Sequence, residues 1–386
     1  MHAFHHQTHL HIPHCLESLK KDINGIYIIH SIRGFVFSLF GIFIPIYLLT
    51  LGFSISMVLF FFVVRQLAIL STNFFVGMIA NRLGLKHTML ISLPLSLIYL
   101  LLLPVLDSFP NLYLFYGLAI VSGAQAALYW VPMHSLFARS TKTGSRSSQV
   151  GKLISFQHIA SMLAPLLGGT ITLFYSFEIL FIIAIILLLI PIGLLLYTPE
   201  IKPHINFSFR RGFKLLKKYK RHYYLTCSEI IGGTTESVLW PLFVFLVLKN
   251  EFSVGVIGTL LGVGTVFFSL LMGNKANQAN RSKIVKIAAL MLAIVWISKF
   301  FAESSIVIYA LSVASGFFVI MFSVPHTAET YALAKKEHDI DEFIIFREIP
   351  ITIGKVSLLL ISTLFLSKIN LAFIITGINF LFVFFI

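Results

Sequence analysis

The sequence predicts an all-α integral membrane protein with twelve transmembrane helices in two parallel six-helix pseudo-repeats. Three observations lead to this prediction: the composition, a series of twelve apolar stretches, and the distribution of the basic residues. Of the 386 residues, 58% are hydrophobic and only 11% are charged, whereas soluble domains carry about 25% charged residues. A soluble fold cannot bury so much apolar surface, so the bilayer must be the solvent for most of the chain.

The twelve apolar stretches have close to the roughly 20 residues that a membrane-spanning helix needs. The first six lie near residues 25–51, 56–79, 88–106, 112–133, 150–174 and 177–198. The other six lie near residues 223–248, 254–274, 284–302, 304–327, 344–367 and 370–386. We number them spans one to twelve in chain order.

The basic residues predict how the spans are oriented, because Lys and Arg concentrate on the cytoplasmic side of a membrane. If the amino terminus is inside, 23 of the 29 basic residues fall in inner segments, and only Lys249, Lys299 and Lys368 fall in outer loops. The remaining three lie inside spans. We therefore expect a multi-pass protein of the plasma (inner) membrane with both termini in the cytoplasm. This asymmetry also accounts for the net charge of +14 without a nucleic-acid partner.

Recurring residues indicate that the chain contains an internal repeat. Val131-Pro132 returns 193 residues later as Val324-Pro325, and Pro45 returns 196 residues later as Pro241. Two parallel repeats joined by a linker are typical of transporters. The predicted units are a His-rich tail (1–22), a six-helix bundle (23–198), a basic linker (199–222) and a second six-helix bundle (223–386).

One loop carries a recognisable motif. The stretch Gly77-Met-Ile-Ala-Asn81-Arg82-Leu-Gly84-Leu-Lys86 after span two resembles the loop motif of the major facilitator superfamily, Gly-x-x-x-Asp-Arg-x-Gly-Arg-Lys or Arg. Asn81 stands in place of the usual Asp. The second-half copy, Gly273 to Arg281, is more degraded. The resemblance implies a central cavity lined by spans one, four, seven and ten, with spans three, six, nine and twelve facing lipid. It also implies that Gly77, Asn81, Arg82, Gly84 and Lys86 form a conformational latch, although ordinary turn chemistry is the alternative.

Span five contains Ala164-Pro165-Leu-Leu-Gly168-Gly169, which is similar to the Gly-Pro-x-x-Gly-Gly element of proton-coupled exporters in that superfamily. The resemblance implies that Pro165, Gly168 and Gly169 flex the helix during export. A kink that has no bearing on the direction of transport is equally compatible with these residues, because proline bends helices and glycine lets them pack closely.

Ionisable residues at membrane depth are costly and by default mark a transport pathway or a proton relay. Six such candidates for proton coupling and for the substrate cavity are Glu236, Glu229, Arg65, Arg33, Lys355 and His30. Glu236 is the first choice, because a carboxylate at mid-span takes up a proton when it is desolvated and releases it when a cation approaches. The alternative is a fixed pair of Glu236 with Arg65 or Lys355. Arg33 could instead extend to the headgroups.

These observations favour a secondary active transporter, most simply a proton-coupled exporter of an amphipathic or anionic compound. The runner-up is a proton-coupled importer of a nutrient or organic anion on the same fold. A membrane enzyme and a transport-inactive scramblase or scaffold are disfavoured, the first because no catalytic cluster recurs on one face. We expect a monomer that works with a small-molecule substrate, protons and the bilayer.

No cofactor is expected. The chain has no nucleotide-binding Gly-x-x-x-x-Gly-Lys-Ser/Thr motif, so ATP is not its predicted energy source. Six of the 14 histidines lie in the first 14 residues, namely His2, His5, His6, His9, His11 and His14. Their spacing fits no compact metal site, and we expect incidental metal binding in preference to a sensor.

Overall fold

The computed structural model describes residues 22–141, 146–197, 200–203, 208–272, 281–337, 339–365 and 368–385. Helices at the positions of the first six predicted spans are α1 (Asp22–Phe40 and Ile44–Thr50), α2 (Ile55–Leu83), α3 (Leu85–Leu102), α4 (Leu112–Ser140), α5 (Arg146–Ser161 and Ala164–Phe174) and α6 (Phe177–Tyr197). The predicted linker contains a further helix, Phe209–Lys218, which we call the linker helix.

The second six helices are α7 (Lys220–Thr234 and Trp240–Leu248), α8 (Glu251–Met272), α9 (Arg281–Phe300), α10 (Ser305–Ala334), α11 (Ile340–Leu364) and α12 (Leu371–Phe385). No residue in the described ranges is in a β-strand. The all-α prediction is therefore confirmed for this part of the chain.

Nine helical segments of the described chain are long and apolar enough to cross a bilayer. The other three, α9, α11 and α12, coincide with predicted spans nine, eleven and twelve. Every 18-residue stretch of α9 and α11 contains at least three charged residues, and α12 has only 15 residues. α9 and α11 therefore carry more charged residues than the nine and α12 is shorter, although all twelve predicted positions are helical.

Side chains and glycines fix several helix ends. The hydroxyl of Ser54 accepts a hydrogen bond from the backbone of Met57 at 3.3 Å, and Asn111 caps α4 in the same manner. Such caps satisfy backbone N–H groups that have no partner inside the helix. Gly84 separates α2 from α3 with a φ of +92°, a backbone conformation that favours glycine.

The helices of each set of six pack mainly on one another, and two pairs make the most extensive contacts between the sets. These pairs are α2 with α11 and α5 with α8. The two sets share internal features. Pro45 and Pro241 each begin the second piece of a broken helix, and Pro132 and Pro325 lie inside α4 and α10. The recurring prolines of the sequence thus occupy corresponding helices.

Candidate functional site

A cavity of about 520 Å³ lies between the two sets of helices. Its walls come from α1, α2, α4 and α5 on one side and from α7, α8, α10 and α11 on the other, with Tyr99 of α3. Apolar and aromatic side chains dominate the lining and include Phe37, Phe40, Phe62, Met162, Leu261 and Leu359. The polar lining includes Gln66, Ser122, Gln125, Gln157, His158 and Thr265. An apolar cavity with a few polar groups is suited to a small organic molecule.

Three of the six predicted charged or histidine residues meet at this cavity: Arg65, Glu236 and Lys355. Arg65 donates a hydrogen bond from Nε to Ser122 Oγ at 3.0 Å. Neither Arg65 nor Lys355 forms an ion pair with a carboxylate of the described chain. Two cationic groups therefore face the cavity without a neutralising partner.

Glu236 is paired, but with a residue that the sequence did not indicate. Lys299 of α9 donates a hydrogen bond from Nζ to Glu236 Oε2 at 2.7 Å. The expected partners, Arg65 and Lys355, are not within ion-pair distance of Glu236. Lys299 was expected in an outer loop and α9 was expected to face lipid, whereas the Lys299 side chain is 0% exposed. The prediction for Lys299 was therefore wrong, because hydropathy alone does not show which way a span-end lysine points.

Two tryptophans enclose the Lys299 ammonium. Nζ lies 4.3 Å from the ring centre of Trp240 and 4.1 Å from that of Trp296, distances at which the ring faces attract a cation. Glu236 lies in a π-helical turn, Thr235–Leu239, a type of irregularity that is frequent at functional sites. A tryptophan three or four residues from each charged residue was the available sequence signal: Trp240 after Glu236 and Trp296 before Lys299.

Arg33 and His30 lie beside the cavity rather than in its lining. Arg33 is buried and donates a hydrogen bond from Nη2 to Gln125 Oε1 at 2.7 Å. Its guanidinium carbon lies 3.9 Å from the ring centre of Tyr129. His30 Nδ1 lies 3.1 Å from the Tyr129 hydroxyl. Arg33 therefore does not reach toward the headgroups and instead orients Gln125, which lines the cavity.

Glu229 is also outside the lining. Its Oε2 lies 3.8 Å from His326 Nε2, on the side of α7 that faces α10. The two acids of α7 therefore have different surroundings: Glu236 lines the cavity, and Glu229 lies near His326.

The loop between α2 and α3 binds the segment that follows α6. Glu200 accepts hydrogen bonds from the backbone of Lys86 at 3.0 Å and of His87 at 3.2 Å. These are N–H groups at the start of α3, where the helix dipole favours a carboxylate. A Cβ on Gly84 would lie 2.2 Å from the Glu200 carboxylate. Arg82 lies exposed in the last turn of α2, and its role as a latch stays a prediction.

Charged contacts join the two sets of helices at the end of the bundle that contains Arg82, Arg139 and Lys335, which we call the basic end. Arg139 of α4 is bonded to the buried Asp341 of α11, and Lys335 of α10 is bonded to the backbone oxygen of Thr141. Arg211 of the linker helix donates to Glu342 at 3.1 Å. These bonds hold α4, α10, α11 and the linker helix together at the basic end.

The Pro165, Gly168 and Gly169 element lies where α5 breaks and contacts both neighbours. A Cβ on Gly168 would lie 2.1 Å from the backbone oxygen of Leu39 in α1, and one on Gly169 would lie 3.2 Å from Gly255 Cα in α8. Close approach of α5 to α1 therefore requires glycine at 168, whereas a side chain at 169 would need a small shift of α8. The flexing role of the element stays a prediction.

Two sequence features lie outside the described residues. The His-rich tail, His2 to His14, is one of them. The degraded second copy of the loop motif is the other, except at its last residue, Arg281, which begins α9.

The fold and the cavity define a helical membrane protein in which two sets of six helices enclose a largely apolar cavity with a few polar and charged groups. A family model of the Major Facilitator Superfamily matches residues 26–228, just over half of the chain. The chain belongs to the Major Facilitator Superfamily, which confirms the resemblance seen in the sequence.

Solved transporter structures share the fold. The human organic anion transporter MFSD10 (TETRAN) superposes with a TM-score of 0.70 at 12% identity, covering 95% of this chain and 99% of that one. The transporter FucP in the outward conformation superposes with a TM-score of 0.70 at 14% identity, covering 94% and 97%. The E. coli fucose:proton symporter FucP gives a TM-score of 0.66 at 14% identity, with the same coverage. At these identities the likeness concerns the fold alone.

One relative is matched over part of its length. It is a Na(+), Li(+), K(+)/H(+) antiporter of Planococcus maritimus, 29% identical over 141 residues. The matched region covers 36% of this chain and 33% of that relative.

Proposed function

We propose that this protein is a secondary active transporter that expels an amphipathic compound in exchange for protons. The observation that carries the proposal is Glu236, which lines the cavity and is held at the same time by a fully buried lysine. A carboxylate in this position can take a proton from the cavity and return it when the ammonium approaches. The antiporter named above, which exchanges cations for protons, supports exchange as the mode of transport.

The lining supports the amphipathic part of the proposal. Phe37, Phe40 and Phe62 provide an apolar surface, and Arg65 and Lys355 provide two cationic groups. A molecule with an apolar body and a polar head would contact both. A small inorganic cation would be repelled by these two groups, so a cation substrate like that of the antiporter is disfavoured here.

A second candidate function is uptake of an organic anion together with protons, and the unpaired Arg65 and Lys355 favour it. An anion bound to these groups would raise the proton affinity of Glu236, because negative charges disfavour one another. Linkage then requires that a proton also strengthens anion binding, which is cotransport. In the leading proposal the compound packs against Glu236 and competes with its proton.

Proton release on substrate binding distinguishes the two candidates. Purified protein in weakly buffered solution with a pH indicator dye is mixed with a series of amphipathic and anionic compounds. Export by exchange predicts proton release by a bound compound, and uptake predicts proton binding. Neither signal should occur in the Glu236→Gln variant. A compound that binds without moving protons in the wild type would contradict both candidates.

We also propose that the basic end faces the cytoplasm of a cell whose plasma membrane contains the protein. A cysteine at Ser108 or Glu251 should react with an impermeant thiol reagent in intact cells, and a cysteine at Phe213 of the linker helix should not. Labelling at Phe213 in intact cells would reverse the proposed orientation.

A further inference from the structure

Two histidines of α7 and α10 stack against each other outside the cavity lining. The ring centres of His222 and His326 are 4.5 Å apart, and the rings are inclined by 29°. Both side chains are buried, at 5% and 2% exposure. Histidine pairs of this kind need a hydrogen-bond partner or an ion for each nitrogen, because a buried polar atom without a partner is costly.

The hydrogen bonds determine which nitrogen of each ring carries the proton. The hydroxyl of Thr226 donates to the backbone oxygen of His222 at 3.1 Å, so it can only accept from His326 Nε2, at 3.0 Å. The hydroxyl of Thr330 likewise donates to the backbone oxygen of His326 at 3.0 Å and accepts from His222 Nε2 at 3.1 Å. Each Nε2 is therefore protonated in the neutral ring, and each Nδ1 carries a lone pair.

The two Nδ1 atoms are buried and have no hydrogen-bond partner among the described residues. Two lone pairs on stacked neutral imidazoles are the ligands that a first-row transition metal binds well. The Nε2–H groups are meanwhile fixed by the threonines, which is how metal-bound histidines are normally oriented. The two lone pairs are thus available to a cation that the cavity chemistry does not use.

A carboxylate completes the group. Glu329 lies three residues after His326 on α10, so the two side chains share a helix face. Potential ligand atoms of His222, His326 and Glu329 all lie within 4.8 Å of one another. Glu329 is exposed and forms no ion pair with any residue in the described ranges, so it offers both a negative charge and a route of entry from solvent.

We propose that His222, His326 and Glu329 bind one divalent transition-metal ion, with a fourth position left for water. The ligand set of two imidazoles and one carboxylate suits Zn²⁺. The nearby Arg347 opposes a cation, but it lies 3.8 Å from its own partner Glu348, and Glu229 adds a negative charge 3.8 Å from His326. The site would clamp α7 to α10. It is independent of the proposed transport chemistry, since none of its residues lines the cavity.

Zn²⁺ titration of the full-length purified protein against a chromophoric chelator tests the site. The six histidines of residues 1–14 would also bind Zn²⁺, so the reference protein carries serine at all six and at Cys15. We expect this tail-substituted protein to bind one Zn²⁺. Addition of His222→Ala or His326→Ala should abolish that binding, and Glu329→Gln should weaken it by about tenfold or more. His87→Ala, at an exposed histidine away from the cluster, is the matched control and should change nothing.

Thermal stability provides a second measurement of Zn²⁺ binding at this site. At the same Zn²⁺ concentration, Zn²⁺ should raise the Tm of the tail-substituted protein by more than the Tm of that protein with Glu329→Gln. Glu329 is exposed, so this variant folds even if a buried histidine variant does not. Equal Zn²⁺ binding with and without Glu329→Gln and His222→Ala would overturn the proposal. So would loss of all Zn²⁺ binding on substitution of the tail alone.

Discussion

Lys299 on α9 donates a hydrogen bond to Glu236 on α7 across 2.7 Å, and its ammonium lies between the rings of Trp240 and Trp296. The pair links a cavity-lining helix to one that was expected to contact lipid only. Loss of one partner from a buried ion pair costs about 3–5 kcal/mol, because the other charge stays buried without compensation. Under the proposed mechanism, protonation of Glu236 would therefore destabilise the buried position of Lys299 and would favour a change of conformation.

The first prediction concerns the two partners together. Glu236→Gln alone should lower the Tm of the purified protein, since it leaves the Lys299 ammonium unpaired among the tryptophans. Adding Lys299→Met should recover most of the lost Tm, because methionine fills the space of the lysine side chain without a charge. Both proteins should fail to accumulate or expel substrate against a gradient, while exchange of substrate across proteoliposome membranes persists.

The double variant separates coupling from stability. If Glu236→Gln/Lys299→Met is stable and still transports uphill with the wild-type pH profile, Glu236 is a structural strut and the proposed coupling is wrong. Lys299→Met alone leaves the carboxylate without its ammonium and should also lower the Tm. This variant completes the double-mutant cycle of Glu236 and Lys299.

The sequence alone could identify Glu236 but not its partner. A carboxylate in the middle of an apolar span is costly wherever it points, so its importance follows from the sequence. The partner depends on the rotation of α9 about its axis, which packing against α10 and α12 decides. A lysine near a span end is compatible with both the headgroups and the interior, and only the tertiary structure distinguishes them.

A second prediction concerns the cationic groups of the cavity. Lys355→Met should weaken binding of a compound with an anionic head by about tenfold or more, the effect typical of removing a charged hydrogen bond. It should leave binding of a neutral amphipathic analogue almost unchanged. The measurement is a thermal-shift titration with a matched anionic and neutral pair. An equal loss of affinity for both compounds would show that Lys355 contributes to the shape of the cavity but does not recognise the charge of the compound.

A third prediction is that the bond between Arg139 and Asp341 keeps the cavity closed at the basic end. Arg139→Gln or Asp341→Asn should open the cavity toward that end, because each removes one partner of the bond between α4 and α11. The measurement is the labelling rate of Ser237→Cys, which lies in the cavity lining, in a background of Cys15→Ser and Cys227→Ala. An impermeant reagent applied from the basic end should label the open variants several times faster than the parent. The charge swap Arg139→Asp/Asp341→Arg should restore slow labelling, and fast labelling in the swap would contradict the closure.

A fourth prediction is a pH dependence at the contact between α10 and the linker helix. Lys218 donates a hydrogen bond to Glu337 Oε1 at 2.7 Å, and the Tyr219 hydroxyl is bonded to the same oxygen. Partial burial acts to raise the pKa of Glu337, but these bonds and the Lys218 charge outweigh it and lower the pKa. Because the folded-state pKa is below the unfolded one, the stabilisation is present at neutral pH and is lost as the pH falls through the lowered pKa.

The Tm difference between the wild type and Glu337→Gln should therefore shrink as the pH is lowered from about 7 to about 4. It should also shrink in high salt, since the Lys218 side chain is exposed and its charge is screened. Glu303→Gln, at an exposed glutamate that forms no ion pair with the described residues, is the matched control substitution. If the Tm difference between the wild type and Glu337→Gln is constant with pH, the contact stabilises the protein through packing alone and the charge of Glu337 does not contribute.

The fold was more predictable than the site for a physical reason. Hydropathy and basic asymmetry act over whole spans, so a few ambiguous residues do not alter the result, and the Pro45 and Pro241 spacing reports the repeat directly. The site depends on single side chains whose direction changes with local irregularities. Hydropathy does not predict the π-helical turn at Thr235–Leu239, which contains Glu236.

The last prediction uses two glycines that share a positive φ and differ in their surroundings. Gly52 and Gly84 have φ values of +87° and +92°, so alanine at either position should cost about 1–3 kcal/mol through backbone strain. A Cβ at Gly52 meets nothing within 4 Å, whereas one at Gly84 meets the Glu200 carboxylate that caps α3. Gly84→Ala should therefore lower the Tm by clearly more than Gly52→Ala. In the double variant Gly84→Ala/Glu200→Ala the clash with the carboxylate is absent, so this additional decrease in Tm should disappear. A smaller decrease should remain, because the variant also loses the carboxylate that caps α3. Equal Tm losses for the two single variants would show that the loop between α2 and α3 does not depend on Glu200, and that the motif glycine serves only the turn.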